Sequence, residues 1–517
     1  MMAAASLPAA AQKHGGVLTL PHVDTPPSPS IHEEGTASVV TPFMPLFNNL
    51  VLFDQHIAQN RFDTIVPELA TAWKWTEDGT TLTFTLHPGV TWHDGKPFTA
   101  ADVKCTWDMV SGLVPGKIRR SPRQAWFINL KEISVNGDHE VSFHLKQPQP
   151  SLIAMLATGW SPVYPCHVPS ATMRTKPIGT GPFRFVEYRL NESMRVQRNP
   201  NYWKPGLPYL DGIEYQIVPN RATRMLAFTA GKFDMTYPTD VTVPLMRDVR
   251  SQNPDAQCVM RTSNVSTNLI INRDAPPFNN LEIRRALVLT LDRKAFIDIQ
   301  TEGTAVQAGT MLPPPAGVWG MPPEEMRKMF GYDPDIEKQR AAARAIMKSL
   351  GYGPDNLLRT KVFTRNTNSF RDPALILSDQ LKTIWFETEV EAVETPIYYN
   401  RVFKKDYSIG LNLTGASLDD PDQQYLENYA CGSLRNYTNY CNADLEKDIS
   451  RQSMEMDFTK RRAIVWEIER KLAEDVARPI IFHGVAGACW HPYVKNVTIM
   501  VNSVYNGWRW EDIWMDK

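Results

Sequence analysis

The chain has 517 residues, which is too long for one compact core and predicts two or more folding units. Hydrophobic residues make up 43% and charged residues 21% of the sequence, a composition typical of globular proteins. The 55 basic residues nearly balance the 56 acidic ones, so the formal net charge is -1. This balance gives no electrostatic case for nucleic acid or an anionic membrane as a partner.

The N-terminus, residues 1–11, lacks the basic region and the apolar core of a complete secretion signal. It does end in small residues, as signal-peptidase sites do. We interpret it as a residual signal-peptide tail, with the mature protein beginning near Gln12, and a cytoplasmic leader is the alternative. The longest uncharged runs, residues 35–53 and 147–173, are interrupted by prolines, so no transmembrane helix is predicted.

The first half of the chain carries strand and turn signals. Between residues 81 and 87, apolar residues alternate with threonines, which predicts a half-buried strand. An Asp-Gly turn at residues 94–95 separates two short predicted strands, 90–92 and 97–98. Thr99 and Asp102 have the spacing of a capping box that opens a helix. An Asn-Gly turn at residues 136–137 predicts a hairpin, and residues 186–196 and 213–218 continue the strand pattern.

The second half alternates helical and strand patterns. Apolar residues recur at helical spacing in residues 283–291, 336–350 and 464–472, and Gly351 ends the second of these helices. An apolar run at residues 479–482 follows the third. Strands that alternate with helices predict an α/β sheet in this half.

Four motifs occur in an order that resembles one family. They are the whole stretch 68–110, GTGPFRF at 179–185, RNPNYW at 198–203 with PYLDG at 208–212, and APPFNNLEIRRA at 275–286. The chain resembles the family 5 extracellular solute-binding proteins, the periplasmic dipeptide, oligopeptide and nickel receptors of ABC importers. The resemblance extends from about residue 16 to the C-terminus.

The resemblance implies an α/β, two-lobed periplasmic-binding-protein fold, type II-like and of cluster C. The segment 264–272 would cross from the first lobe to the second, and the chain would return near residues 482–490. The implied first lobe comprises residues 12–264 and 486–517, with an inserted subdomain at about 55–180, and the second lobe comprises residues 265–485. The implied protein is a periplasmic monomer.

Six cysteines fit an oxidising compartment only if they pair. Cys431 and Cys441 flank a short polar loop and form the best candidate pair, and the dipeptide-binding relatives have a similar local disulfide. The other four cysteines allow three pairings that the sequence does not rank, and buried free thiols are the alternative; they are Cys105, Cys166, Cys258 and Cys489.

Motifs for catalysis are missing from the sequence. It contains no G-x-S-x-G elbow, no P-loop and no H-E-x-x-H, and its histidines lack partners at metal-ligand spacing. We therefore predict no enzyme, no cofactor and no metal. A secreted hydrolase stays an alternative because catalytic triads are assembled in space. A sensor or chaperone-like protein without a transporter is a second alternative.

The predicted function is to capture a peptide or peptide-like ligand between two lobes and deliver it to a membrane permease. In the dipeptide and oligopeptide receptors, an aspartate shortly before an acidic-Pro step holds the free amine of the ligand. Aligning that step with Asp420 places Ser417 at the aspartate position and Thr414 where a tryptophan usually lies, with Asp419 as a substitute. A serine lacks the charge that offsets burial of an ammonium. A modified peptide, an opine or an oligosaccharide is therefore an alternative ligand.

Further candidate ligand-binding residues come from their positions. Some precede the apolar run 46–53, some lie at the first crossing, and two follow the predicted strand 361–363, where they would face a carboxylate or a sugar. Solvated loop residues are the alternative interpretation for each. These candidates are Ser38, Val39, Thr41, Asn264, Ser266, Thr267, Arg365 and Asn368.

Overall fold

A computed structural model describes residues 12–500 and 505–517, without the side chain of residue 486. The proposed signal-peptide tail, residues 1–11, lies outside the described residues. Within the part of the chain that the structure describes, no helix combines the length and apolar character needed to cross a membrane.

The strands form three main sheets and two small ribbons. In chain order they are β1 Val17–His22, β2 Val51–Phe53, β3 Ile65–Pro67, β4 Ala70–Trp75, β5 Thr81–Leu86, β6 Leu130–Val135, β7 Glu140–Leu145, β8 Phe183–Arg189, β9 Ser193–Arg198, β10 Gly212–Ile217, β11 Gln257–Ile271, β12 Leu358–Arg365, β13 Phe386–Val393, β14 Ile409–Gly415, β15 Ile480–Trp490, β16 Val494–Lys495 and β17 Trp514–Met515.

The helices are concentrated in the second half of the chain. In chain order they are α1 Ala37–Phe43, α2 Ala100–Ser111, α3 Leu152–Leu156, α4 Ser170–Met173, α5 Arg221–Thr229, α6 Val243–Gln252, α7 Leu281–Leu289, α8 Arg293–Thr301, α9 Pro323–Met326, α10 Ile336–Ser349, α11 Asn368–Lys382, α12 Thr395–Phe403, α13 Pro421–Asn428, α14 Ala443–Met454 and α15 Phe458–Glu474.

Two large hydrophobic cores define two lobes. The first core gathers buried residues between Leu18 and Met235 together with the C-terminal segment, and contains the sheets β1-β10-β9-β8 and β4-β5-β7-β6. The second core gathers residues between Leu269 and Phe482 around the sheet β13-β12-β14-β11-β15. We call these the first and second lobes, and the predicted α/β two-lobed fold is confirmed.

Two long antiparallel strands, β11 and β15, connect the lobes. Near its start, β11 pairs with β15 at Cys258 and Cys489, beside first-lobe residues such as Met235. From Val265 onward, β11 also pairs with β14 of the second lobe. The pairing of β11 with β15 shifts register between Thr262 and Ser266. The same two strands therefore belong to both lobes, with an irregularity between their two halves.

Local predictions in the region 68–110 hold with one exception. Leu82 and Phe84 are fully buried on β5, and Thr99 and Asp102 form the capping box of α2. The two short strands predicted around the Asp-Gly turn are wrong, since they reduce to one bridge between Thr91 and Pro97. Proline has no N–H to extend the ladder there.

All six cysteines pair in the structure. The expected Cys431–Cys441 disulfide closes a local loop in the second lobe. Two further disulfides join Cys105 to Cys166 and Cys258 to Cys489, the latter across the paired strands β11 and β15. The alternative that these four cysteines are free thiols is therefore wrong.

Candidate ligand-binding cleft

A cavity of about 210 Å³ lies between the two lobes. The first lobe contributes walls from α1, from the first turn of α5 and the segment before it, from residues 237–243 and from the C-terminal segment. The second lobe contributes the C-terminal end of β12, the first turn of α11 and side chains from β11, α12, β14 and β15. Aromatic and aliphatic walls with a few polar groups are typical of small-molecule sites. The aromatic lining residues are Tyr237, Phe370, Tyr399, Phe482, Tyr505 and Trp508.

A buried ion pair joins the lobes at one wall of this cavity. Asp24 follows β1 in the first lobe and accepts a hydrogen bond from Arg365 Nη2 at the end of β12 in the second lobe. The hydroxyl of Thr395 donates to the same carboxylate and accepts from Arg365 Nη2 at 2.9 Å. Ser38 Oγ donates to the other oxygen of Asp24 at 2.5 Å. Both charges are therefore satisfied only when the lobes are together.

The pKa values at this pair follow from burial and from the opposite charges. Burial alone would raise the pKa of the Asp24 carboxyl, but the charge of Arg365 and the hydrogen-bonding hydroxyls of Ser38 and Thr395 hold it below its usual value. Burial alone would lower the pKa of Arg365, but the facing carboxylate raises it. Burial lowers the pKa of neighbouring His22, whose Nδ1 lies 2.6 Å from the Asp24 carbonyl oxygen. At neutral pH the pair is ionised and His22 is neutral.

A second contact between the lobes lies at Arg435. Its Nη1 donates to the carbonyl oxygen of Gly35 at 2.6 Å, and its Nε is paired with Glu427. Trp126 of the first lobe donates from its ring nitrogen to the same glutamate at 2.8 Å. Burial opposes the charge on Arg435, but Glu427 raises the pKa of this guanidinium. The Arg435 charge is thus also neutralised inside the protein.

The first-lobe wall carries two arginines and one carboxylate. Arg224 donates to both oxygens of Asp240, with Nη2 2.6 Å from Oδ1. Its Nη1 donates to the carbonyl oxygens of Val218 and Pro219. Arg221 begins α5 and has its Nε 3.7 Å from the same Oδ1. Arg224 therefore makes the closer contact with the shared Asp240 carboxylate, because it donates to both of its oxygens.

Four of the predicted ligand-binding residues line the cavity. Ser38 and Thr267 contribute from α1 and β11, Arg365 contributes from the last position of β12, and Asn368 contributes from the first position of α11. Arg365 reaches this wall because β12 ends there, at the edge of the second-lobe sheet. Their role in binding stays a prediction.

Three residues that the resemblance singled out lie outside the cavity lining. Thr414 accepts hydrogen bonds from Asn268 and Arg478 within the second lobe. Ser417 donates to the side-chain oxygen of Gln423 at 3.0 Å. Asp419 accepts from the backbone N–H of residue 318 at 2.9 Å, in the proline-rich loop before α9. In this conformation none of the three presents its side chain to the cavity.

The other four candidates are buried beside the cavity rather than at its surface. Val39 packs in the first-lobe core, and the Thr41 hydroxyl donates to the carbonyl oxygen of residue 37. Asn264 donates to the carbonyl of residue 418, and Ser266 donates to the carbonyl of Thr414. These contacts position backbone elements around the cavity.

The sequence interpretation missed several lining residues. Arg221, Arg224 and Asp240 lie on segments with no family motif, and Arg435 lies in the loop closed by the local disulfide. One signal was available, because two arginines three residues apart directly follow a predicted strand. Strand ends that open onto helices are common ligand positions in α/β proteins.

The comparison with known families agrees with the geometry. Residues 64–436 match the family described as "Bacterial extracellular solute-binding proteins, family 5 Middle". The chain belongs to this family. Family members are transport receptors that bind solutes, and a cavity between two lobes fits that role. Among the described residues, no group of three histidine, cysteine or acidic side chains is arranged to hold a metal ion.

Individual relatives show a range of named ligands. Heme-binding protein A of Haemophilus influenzae is 26% identical over 423 residues, covering 76% of this chain and 73% of the relative. The dipeptide-binding protein of Escherichia coli is 24% identical over 466 residues, covering 85% of this chain and 84% of the relative. Among solved structures, the chain is similar to the periplasmic binding protein DppA from Helicobacter pylori in complex with the peptide STSA. The TM-score is 0.85 and the sequence identity is 20%, and the match covers 98% of this chain and 99% of that chain.

Proposed function

We propose that this chain is a periplasmic receptor of an ABC importer. It captures a peptide or peptide-like solute between its two lobes and presents the closed complex to a membrane permease. The observation that carries the proposal is the cavity whose walls come from both lobes and whose edge is closed by the Asp24–Arg365 pair. A ligand in this space contacts both lobes at once and stabilises the closed form.

The connection between the lobes supports a hinge motion. We place the lobes at residues 12–264 with 486–517 and at residues 265–485, with the segment 55–180 as a subdomain of the first. The strands β11 and β15 run through both, and their register shift lies next to the cavity-lining residues Ser263 and Val265. A few residues in two strands can absorb the rotation of one lobe against the other.

The periplasmic location has independent support from the cysteines. Three disulfides, one of them bridging the two connecting strands, require an oxidising compartment during folding. The action as a monomer and the partnership with permease subunits belong to the same proposal. A secreted hydrolase is the rival function, and a metal analysis with a panel of chromogenic ester and peptide substrates tests for it.

The test is a screen of dipeptides, tripeptides, opines and oligosaccharides by thermal unfolding and small-angle scattering. A bound solute is expected to raise the melting temperature. It is also expected to reduce the mean radius of gyration or to narrow the range of radii that the protein populates. A library in which no solute changes either quantity would refute the proposal.

Two asparagines near the cavity provide a matched pair of variants for any solute that binds. Asn368 lines the cavity, whereas Asn366 is exposed and donates to Glu394 at 3.1 Å. Loss of one hydrogen bond to the ligand costs about 0.5–1.5 kcal/mol, so Asn368→Ala is expected to weaken binding about twofold to tenfold. Asn366→Ala is expected to bind as the wild type does. Equal affinities in both variants would remove Asn368 from the site.

A further inference from the structure

We propose that the cleft selects ligands that carry an anionic group and lack a free ammonium, and that Arg221 receives the anion. The proposal rests on the function proposed above and specifies the chemical class of the solute: a peptide-like carboxylate whose amine is blocked. Its basis is the balance of charges around the cavity and the position of Arg221, the one guanidinium among the described lining residues that has no carboxylate of its own.

The charges around the cavity do not balance. Among the described lining residues there are four arginines and one acidic residue, namely Arg221, Arg224, Arg365, Arg435 and Asp240. Two further carboxylates, Asp24 and Glu427, pair with Arg365 and Arg435 from behind the lining. Four arginines against three carboxylates leave one positive charge. A cavity with an unbalanced positive charge attracts an anion and repels an ammonium.

The unbalanced charge is located on Arg221. Arg224 occupies both oxygens of Asp240, so Arg221 has only the longer contact of 3.7 Å to that carboxylate. The Nε of Arg221 is buried and donates no hydrogen bond within the described structure. Its side chain is 22% exposed and belongs to the cavity lining. An arginine in this position can donate to a ligand carboxylate through two parallel N–H groups.

The backbone adds positive potential at the same place. The first residues of three helices line the cavity: Arg221 on α5, Val243 on α6, and Asn368 with Ser369 on α11. The first N–H groups of a helix have no partner within the helix and carry part of its positive dipole. These three helices have nine or more residues and come from both lobes.

Two hydroxyls in the lining lack partners within the described structure. The Oγ atoms of Ser263 and Thr367 are buried and take part in no hydrogen bond, and Ser263 is 3% exposed. Thr367 also precedes α11 without capping it through its side chain. A buried hydroxyl without a partner is costly, and a ligand oxygen or amide would satisfy it.

Among the described residues that line the cavity or lie directly behind its lining, no carboxylate is free to receive an ammonium. Asp24, Asp240 and Glu427 are each committed to an arginine. Ser417 replaces the aspartate that holds the amine in the dipeptide receptors, and Asp419 contacts the proline-rich loop outside the cavity lining. A free ammonium would therefore enter a positively charged cavity without a counter-ion, at a high cost in desolvation.

The test compares two pools of dipeptides with identical side chains, one N-acetylated and one with free amines, by thermal shift and calorimetry. The acetylated pool is expected to bind at least tenfold more tightly, a difference of about 1.4 kcal/mol. Acetylated dipeptides whose carboxylate is amidated are expected to bind at least tenfold more weakly than acetylated dipeptides with a free carboxylate. If the free-amine pool binds as tightly or more tightly, the selectivity is refuted while the receptor function stands.

The role of Arg221 is tested with Arg221→Gln and a matched control, Arg247→Gln. Arg247 is exposed on α6 and pairs with Glu302 outside the cavity. Arg221→Gln is expected to weaken the binding of the acetylated ligands at least tenfold and to reduce the difference in affinity between the two pools. The control variant is expected to change neither quantity. An unchanged affinity in folded Arg221→Gln would overturn the assignment. If neither pool shifts the melting temperature of the wild type, the inference is refuted, and the solute screen with scattering then decides the receptor function separately.

Discussion

The substitution Asp24→Asn tests whether the buried ion pair holds the two lobes together. The change is isosteric and removes the charge from a residue that does not line the cavity. It leaves Arg365, which is 6% exposed, without its carboxylate in the closed form. Opening of the lobes lets the guanidinium reach water. The ligand-free variant is therefore expected to populate open conformations more than the wild type does.

The magnitude follows from the cost of an unpaired buried charge. Removing one partner of a buried ion pair costs about 3–5 kcal/mol, and 3 kcal/mol corresponds to about a hundredfold shift in an equilibrium. The closed form of Asp24→Asn is thus expected to lose about two orders of magnitude relative to the open form. Any ligand that requires closure loses apparent affinity by up to the same factor, because the apparent affinity scales with the fraction of the closed form.

The pH range of this effect follows from the pKa of Asp24. The folded protein holds this pKa below the ordinary value of 3.8, so the contribution of the pair is present above that value and is lost as pH falls through the folded pKa. The difference between wild type and Asp24→Asn is therefore expected to stay constant from pH 5 to 8. It should shrink only in acid below the ordinary pKa.

Small-angle scattering of the ligand-free proteins measures the opening, and Asp372→Asn is the matched control. Asp372 forms a half-exposed pair with Arg371 at 3.6 Å, and ion pairs near the surface contribute about 0–1 kcal/mol. The radius of gyration is expected to increase for Asp24→Asn and to stay unchanged for the control. If the two variants have the same radius and the same melting temperature, the pair does not hold the lobes together.

Two further predictions concern stability. Burial raises the pKa of Glu469 to about 7 from 4.5, so wild-type stability falls as pH rises from 4.5 through about 7. Glu469→Gln should remove this slope and gain on the order of 2 kcal/mol at pH 8.5 in urea unfolding, and an unchanged slope would contradict it. Alanine replacement of the Cys258–Cys489 pair, which closes 231 residues, should cost about 5 kcal/mol, against about 3 for the Cys431–Cys441 pair, which closes 10. Equal losses of stability in the two double variants would count against the loop-length argument.

Much of the fold was predictable because local physics and family motifs agree. The alternation around Leu82 and Phe84 and the capping box at Thr99 and Asp102 are determined within a few residues, and the structure has both. The interval 186–196 was harder, since a continuous strand pattern hides a turn. The chain reverses at Asn191, which has a φ of 60°, and forms β8 and β9. The position of such a turn is determined by the pairing of the two strands in three dimensions. The alternation of apolar and polar residues along the sequence does not reveal it.

The cleft was less predictable because its residues meet only in three dimensions. Asp24 and Arg365 are 341 positions apart, and nothing in either neighbourhood indicates a shared partner. Positions near the cavity could be predicted for three residues: Ser38 precedes an apolar run, Thr267 lies at the first crossing that the family resemblance implies, and Asn368 follows a predicted strand. The position of Arg221 after a predicted strand was visible in the sequence, but its role was not, since the local sequence does not tell whether its charge is neutralised. That depends on Arg224 taking both oxygens of Asp240.

The two cavity-lining arginines Arg221 and Arg365 have different roles in the proposal. Arg365 pairs with Asp24 across the lobes, whereas Arg221 receives the ligand anion. A ligand carboxylate that took Arg365 would leave Asp24 buried without its cation, and that exchange gains little because one ion pair replaces another. At Arg221 no such exchange is needed, since Asp240 stays paired with Arg224 when the ligand binds. The free energy of the new ion pair is therefore available to hold the lobes closed.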